Sequence, residues 1–410
     1  MAWRAALRGL TRLLRLGLVS RAVVACFLLW TTCGVEVASQ QVVLENPGAH
    51  QPRPAIFDPF ATPDSLGLTD SERKAWNTPG AKAERGRRRH EIHPISDVYG
   101  EGESCTPSPL WGREVDTMSF ELGCTEIEAL LEGSKLVGSG VVRDVYLAKH
   151  EGKLVAVKML KEPAGRRERK RRWAERKLQH WAEVVSMDAV RGSPYVVGIL
   201  GVCNTTVVTE AYSTDLETFV SRRTSALPIR DIVSAGISAA KGLQALHEAS
   251  DAPIVHFDIK ASQFLLTNGG QLKLDGGLLK LNDFNSAYFM STSSRPDGAP
   301  CEFSMQPWQR VVPWRPPEFA KGEPMDEKVD VFSMGFVYYS MLAGGLPFGI
   351  TNDSRNAFME STGGTPPFGS SWHRGFVEVI REMLREPRQR PSAREVVVRL
   401  EAILEDLPPR

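Results

Sequence analysis

The chain has 410 residues and a mass of 45.3 kDa, room for two or three domains or for one large domain with a tail. Its 42% hydrophobic and 24% charged residues exclude wholesale disorder, and so long a chain can bury a core without a disulfide scaffold. Lysine and arginine (50) balance aspartate and glutamate (49), so no global field draws the chain to nucleic acid and none is expected as a partner.

The N-terminus is predicted to be an address. No acid precedes Glu36, and Arg4, Arg8, Arg12, Arg15 and Arg21 lead into an uncharged run over residues 22–35. That run falls short of the roughly 20 residues that span a bilayer comfortably. A basic flank, an apolar stretch and small residues at Ala38-Ser39 read as a secretory signal peptide or short signal-anchor over 1–39. The rival is a mitochondrial or plastid presequence, because the first four arginines lie at helical spacing opposite Leu7, Leu10 and Leu14. The sequons Asn204-Thr205-Thr206 and Asn352-Asp353-Ser354 lean to the secretory route. On that route the rest of the chain is lumenal, held to a membrane by this segment or secreted. Cys105, Cys124, Cys203 and Cys301 then face an oxidising space and allow three pairings, with buried free thiols as the alternative.

Residues 40–115 carry nine prolines and little helical or strand periodicity, which predicts a low-order stem. The cluster Arg85-Gly86-Arg87-Arg88-Arg89 within it is either a processing site or a solvated charge run. From about residue 130 the texture changes. Short β-rich runs come first, at 135–137, 144–148 and 154–159, with further strands expected at 194–197 and 278–281. Longer helical patterns follow at 229–247, 329–342 and 375–384. Strands followed by helices predict an α+β fold in two lobes, a small β-rich one and a larger helical one. One tandem repeat stands out: Gly269-Gly270-Gln271-Leu272-Lys273-Leu274-Asp275 is echoed by Gly276-Gly277-Leu278-Leu279-Lys280-Leu281-Asn282-Asp283.

Several motifs carry chemistry. Gly138-Ser139-Gly140-Val141-Val142-Arg143-Asp144-Val145 lies between strand-like runs, where glycines let backbone N–H groups approach phosphate oxygens. Val155-Ala156-Val157-Lys158 follows, a strand whose lysine could reach those phosphates. His256-Phe257-Asp258-Ile259-Lys260-Ala261-Ser262-Gln263 puts an acid, a lysine and an amide in one loop, and Leu281-Asn282-Asp283-Phe284-Asn285 offers another acid at a strand end. Trp314-Arg315-Pro316-Pro317-Glu318, Asp330-Val331-Phe332-Ser333-Met334-Gly335 and Arg390-Pro391-Ser392 complete the series.

In this order and at this spacing the chain resembles the protein-kinase family, over about residues 131–408. The resemblance implies a phosphotransferase that uses ATP with Mg²⁺ or Mn²⁺ on a protein substrate. Lys158 matches the strand lysine that pairs with the α- and β-phosphates, and Glu183 fits its helix partner better than Glu175 does. Asp258 matches the acid that accepts the substrate hydroxyl proton, and Lys260 would steady the γ-phosphate. Asp283 matches the acid that holds the metal, with Gln263 beside it; Asp275-Gly276-Gly277 competes for that place, although Phe284 after Asp283 and the preceding strand favour Asp283. The implied ATP site takes in Val137, Gly138, Ser139, Gly140, Val141, Val142, Arg143, Asp144, Val145, Ala156, Lys158 and Glu183. Val207-Val208-Thr209-Glu210-Ala211-Tyr212 resembles the hinge, with Thr209 as gatekeeper and Glu210 and Tyr212 offering backbone groups to adenine. Glu318 and Arg390 resemble the buried ion pair that ties the activation segment to the lower lobe.

Departures from the pattern are equally informative. Arg143 replaces the third loop glycine, Phe257 the usual arginine beside the catalytic acid, Gln263 the usual metal-binding asparagine, and Asn285 the glycine after Asp-Phe. These also resemble secretory-pathway kinases of the vertebrate lonesome kinase type and membrane-anchored protist kinases with a Leu-Asn-Asp-Phe-Asn run. Lys260 resembles the Ser/Thr-directed pattern more than the Tyr-directed one. A pseudokinase acting as a binding or scaffold module is the alternative, and a kinase for small molecules or sugars is a third. A degenerate domain usually lacks one of Lys158, Asp258 and Asp283; all three are here.

Overall fold

The computed structural model describes residues 92–94, 105–110, 113–140, 142–162, 169–223, 225–267, 279–293, 300–305, 314–346 and 365–409. The predicted signal or anchor segment, the 85–89 arginine cluster, Val141, Asp275 and the sequon at Asn352 lie outside them. The described strands are β1 (Ile92–Pro94), β2 (Cys105–Thr106), β3 (Lys135–Ser139), β4 (Arg143–His150), β5 (Lys153–Leu160), β6 (Ile199–Cys203) and β7 (Thr206–Glu210). They continue with β8 (Ile254–Val255), β9 (Phe264–Leu266), β10 (Leu279–Leu281), β11 (Tyr288–Phe289), β12 (Thr292–Ser293) and β13 (Phe303–Met305). The described helices are α1 (Cys124–Glu132), α2 (Arg169–Ala189), α3 (Leu216–Arg222), α4 (Ile229–His247), α5 (Pro317–Lys321), α6 (Lys328–Ala343), α7 (Arg374–Met383) and α8 (Ala393–Asp406).

Five strands form an antiparallel sheet in the order β3-β4-β5-β7-β6. Each of β5 and β7 contributes two buried valines, Val155 and Val157 and Val207 and Val208, whose branched side chains suit a pleated surface. Register between β4 and β5 is fixed by the turn Glu151-Gly152, both at positive φ (47° and 79°), which pairs His150 with Lys153. The β6–β7 turn uses Asn204 at φ 52°, a conformation its short polar side chain tolerates. Helix α1 packs Ile127 against the sheet and is tied to β6 by the Cys124–Cys203 disulfide. The chain before α1 runs so close to β6 that a Cβ on Gly201 would lie 2.5 Å from the Leu122 carbonyl oxygen.

Helices make the second lobe. Helix α6 is buried along most of its length, and α4 packs on it and on α8; the Tyr338 hydroxyl donates to the Gly236 carbonyl at 2.7 Å. Ser392 and Glu395 cap α8 reciprocally, each side chain taking the other's backbone N–H. Among the described residues no helix is long and apolar enough to cross a membrane.

Two expectations need correcting. Residues 194–197 form no strand of their own; Val196 only bridges Leu281 in parallel, and the strand proper starts at Ile199. The described residues between Cys105 and Val115, assigned to the stem, are built into the folded domain. Cys105 is bonded to Cys301, β2 pairs with β12, and Leu110 and Val115 are buried in the same cluster as Val184 and Val196. These described residues are held by long-range contacts, which leave no periodic pattern in the sequence. Farther upstream, β1 pairs with β13.

Candidate active site

The site lies where the two lobes meet, and backbone bonds hold the lobes in register there. Val197 N donates to Leu281 O, and Leu281 N to Tyr195 O, both at 2.9 Å. Above this junction Lys158 leaves β5 and donates to Glu183 Oε1 on α2 at 3.1 Å and to Asn282 Oδ1 at 3.1 Å. Glu183 is fully buried, and its second oxygen is paired with Arg143 from the start of β4. Burial pushes this carboxyl up, but Arg143 and then Lys158 outweigh it, leaving the group at about 2. Nearby His180 is lowered to about 4, by burial first and Arg143 second, so it is neutral. Lys161 laces the glycine loop, donating to Ser139 Oγ at 2.5 Å and to Gly140 O at 2.9 Å and pairing with Asp144. Its hydrogen bond holds the Asp144 carboxyl below the usual range, with help from Ser139.

Below the junction, the loop after β8 carries the acid. Asp258 Oδ2 accepts from Lys260 Nζ at 2.7 Å and from Gln263 Nε2 at 2.9 Å. The same Gln263 nitrogen lies 3.5 Å from Asp283 Oδ2, so Asp258 and Asp283 converge on one amide. His256, buried between them, accepts from Asp258 N at Nδ1 (3.3 Å), which leaves Nε2 as the donor to Asn282 O at 3.0 Å.

Two residues of this loop system take a backbone conformation that non-glycine residues avoid: Phe257 (φ 63°) and Asp283 (φ 67°). Strain of this kind costs about 1–3 kcal/mol per residue and survives only where the surroundings enforce it. At Phe257 the enforcer is Asp330 on α6, whose carboxylate accepts from His256 N at 2.6 Å, Phe257 N at 2.9 Å and His247 Nε2 at 3.1 Å. The Phe257 side chain packs with Phe303 and Phe319, and the buried Arg315 guanidinium stacks on its ring at 4.5 Å. Aromatic and cation–π packing therefore occupies the place where the family pattern has an arginine.

The hinge segment is β7 and its exit. Thr209 is buried and its hydroxyl donates to Glu210 O at 3.0 Å, while Glu210 N donates to Gly198 O. The Glu210 side chain pairs with Lys280 at 2.6 Å and accepts from Tyr212. Glu318 and Arg390, both buried, form a two-pronged ion pair between α5 and the chain before α8.

Every sequence-predicted catalytic and metal-site residue thus falls within one cleft, and Lys158 pairs with Glu183. Residue spacing did not reveal the contacts of Arg143, Asn282, Asp330 and Arg315. All four lie in runs that the sequence singles out, but those runs carry no sign of which partners these side chains take.

The oxygen donors suit a hard divalent cation. Asp283 offers a carboxylate, and Gln263 turns its amide nitrogen to Asp258 and Asp283, so that a half-turn of this amide would present its oxygen at the same point.

A β-rich lobe and a helical lobe, with a lysine–glutamate pair above two converging carboxylates, define a phosphotransferase. The protein kinase domain model matches residues 131–399, and the chain belongs to that family and is a protein kinase. It is 26% identical to serine/threonine-protein kinase VIK of Arabidopsis thaliana over 84% of this chain and 77% of that one. It is 25% identical to mitogen-activated protein kinase kinase kinase 13-B of Xenopus laevis, over 77% of this chain and 29% of that one. Mitogen-activated protein kinase kinase kinase 12 of Rattus norvegicus is 26% identical over 66% of this chain and 27% of its own length. The chain therefore spans less than a third of these two animal relatives.

Proposed function

We propose that this kinase moves the γ-phosphate of ATP to serine or threonine hydroxyls of a protein substrate in the lumen of the secretory pathway. The observation that carries catalysis over mere binding is the convergence of Lys158–Glu183, Asp258 and Asp283 on one cleft. Asp258 takes the substrate hydroxyl proton on its carboxylate. Lys260, now on the same oxygen, turns to the transferred phosphate as that proton arrives. Lys158, held by Glu183, orients the inner phosphates. A Mg²⁺ or Mn²⁺ ion held by Asp283 and Gln263 would neutralise charge on the outer phosphates. The Ser/Thr preference is supported by Lys260 and by the plant relative's name. Radiolabelled transfer to a protein substrate, followed by phosphoamino-acid analysis, tests it; label on tyrosine alone overturns the hydroxyl class.

Lumenal residence is supported by the two disulfides, since such bonds persist in oxidising compartments. Exposed Asn204 in the β6–β7 turn is open to glycosylation, and the 1–39 segment supplies entry or a membrane anchor. Non-reducing peptide mapping of protein isolated from cells should recover Cys105–Cys301 and Cys124–Cys203 as linked pairs. Recovery of four free thiols would remove this part of the proposal.

Gln263 sets the expected metal preference. Its side chain is one methylene longer than asparagine, and its nitrogen is already engaged by Asp258 and Asp283. Mg²⁺ demands near-octahedral oxygens at about 2.0–2.1 Å, whereas the larger Mn²⁺ accepts a displaced one. Activity is expected to be higher with Mn²⁺ than Mg²⁺ at equal free concentration. Gln263→Asn should shift the balance back to Mg²⁺, and Gln263→Ala should lose most activity with both. An alanine variant as active as the parent would mean that Gln263 only supports its own loop.

A further inference from the structure

The kinase reading puts Arg143 in the ATP site only as part of the glycine loop and gives its side chain no contact with the nucleotide. Arg143 stands at the third loop glycine, and its side chain is only 10% exposed. Arg143 pairs across the sheet with Leu160, and Lys158 lies two residues before Leu160, so both cations leave the same face of the sheet. They meet at Glu183, Arg143 on Oε2 and Lys158 on Oε1. With His180 neutral, two positive charges share one carboxylate, and Asp144, the nearest acid in sequence, is paired with Lys161. Among these described groups, Arg143, Lys158 and Glu183, positive charge exceeds negative by one, with Asp283 following Asn282 on the floor of the same site. An uncompensated buried charge is costly, and an arriving anion relieves it. Among the described residues the Arg143 Nε and Nη2 groups find no hydrogen-bond partner. Both nitrogens are themselves buried, and a guanidinium edge with unpaired N–H groups matches two phosphate oxygens in its chemistry.

We propose that Arg143 is a second phosphate-binding cation, which shares Glu183 with Lys158 and clamps the phosphate chain of the nucleotide from the roof of the cleft. The proposal rests on the ATP reading above. It assigns the lost glycine a purpose: a side chain here gives up loop freedom and adds a charged contact that adenosine alone cannot use. Nucleotide recognition then depends on the phosphates more than it would with Lys158 alone.

The test is equilibrium binding of ATP, ADP and adenosine to the purified full chain, parent and variants, with melting temperature recorded for each. Arg143→Gln removes the charge, and Arg143→Gly restores the family glycine. Both leave Glu183 paired with Lys158, so two independent variants guard against misfolding. ATP and ADP affinity should fall tenfold or more in both while adenosine affinity stays within about twofold, and Arg143→Lys should recover part of the loss. If ATP and adenosine weaken equally, or ATP does not weaken, Arg143 is a brace for Glu183 and the proposal is wrong. A parent that binds none of the three overturns the ATP reading itself, and this inference with it. The two failures are distinct, one showing in the parent and the other only in the variants.

Discussion

Asp258→Asn is expected to lower the rate of phosphoryl transfer by about 10²–10⁴-fold, the usual contribution of a positioned general base. Asparagine matches aspartate in size but cannot accept the hydroxyl proton. Its amide oxygen can still receive Lys260 or Gln263, the two donors that Asp258 Oδ2 now serves. The backbone bond from residue 258 to His256 Nδ1 is untouched, and the loop is anchored independently by Asp330. Melting temperature and nucleotide affinity should therefore stay near those of the parent. The comparison is made with radiolabelled ATP at saturating concentration on the same protein substrate. A variant that keeps more than a tenth of the parent rate would show that Asp258 is not the base, and the cleft would need another proton acceptor.

Much of this cleft is readable from sequence because its chemistry is carried by short runs on a few elements. The 229–247 pattern coincides with α4, and the β4–β5 hairpin needs only valine alternation and a turn that tolerates positive φ. The acid–lysine–amide loop is local as well. Contacts that join distant segments left no such trace. Cys105 and Cys301 are separated by 196 residues, and four cysteines left three pairings open until the fold brought these two together. Leu110 and Val115 are core residues in a stretch whose prolines and lack of period suggest a linker. Helix α1 straddles the boundary drawn at 131, a nine-residue segment whose burial rests mainly on Ile127. Arg143 is the sharpest case. In sequence it is a missing glycine; only the packing of α2 under β4 puts its charge on Glu183.

The largest stability effect is expected at Arg390. Its Nη2 donates to Glu318 Oε2 at 2.9 Å, Nη1 reaches Oε1, and Nε donates to the Arg385 carbonyl at 2.7 Å. The guanidinium also lies over the Phe332 ring at 4.8 Å. Arg390→Ala strands the Glu318 carboxylate in a site that is 2% exposed. Removing one partner of such a pair costs about 3–5 kcal/mol. At roughly 2–4 °C per kcal/mol, melting should fall by about 6–20 °C. Glu318→Gln should cost less, because Arg390 keeps the Arg385 carbonyl and a longer bond to the Lys328 carbonyl. Replacing both partners, as Glu318→Leu with Arg390→Met, removes the stranded charge along with the bond, and such exchanges are often near neutral. The double variant should therefore melt well above Arg390→Ala, although both lack the ion pair. If it melts no higher, the single loss comes from packing against Phe332 and the severed link to Arg385, and the buried charge is not what makes Arg390 necessary.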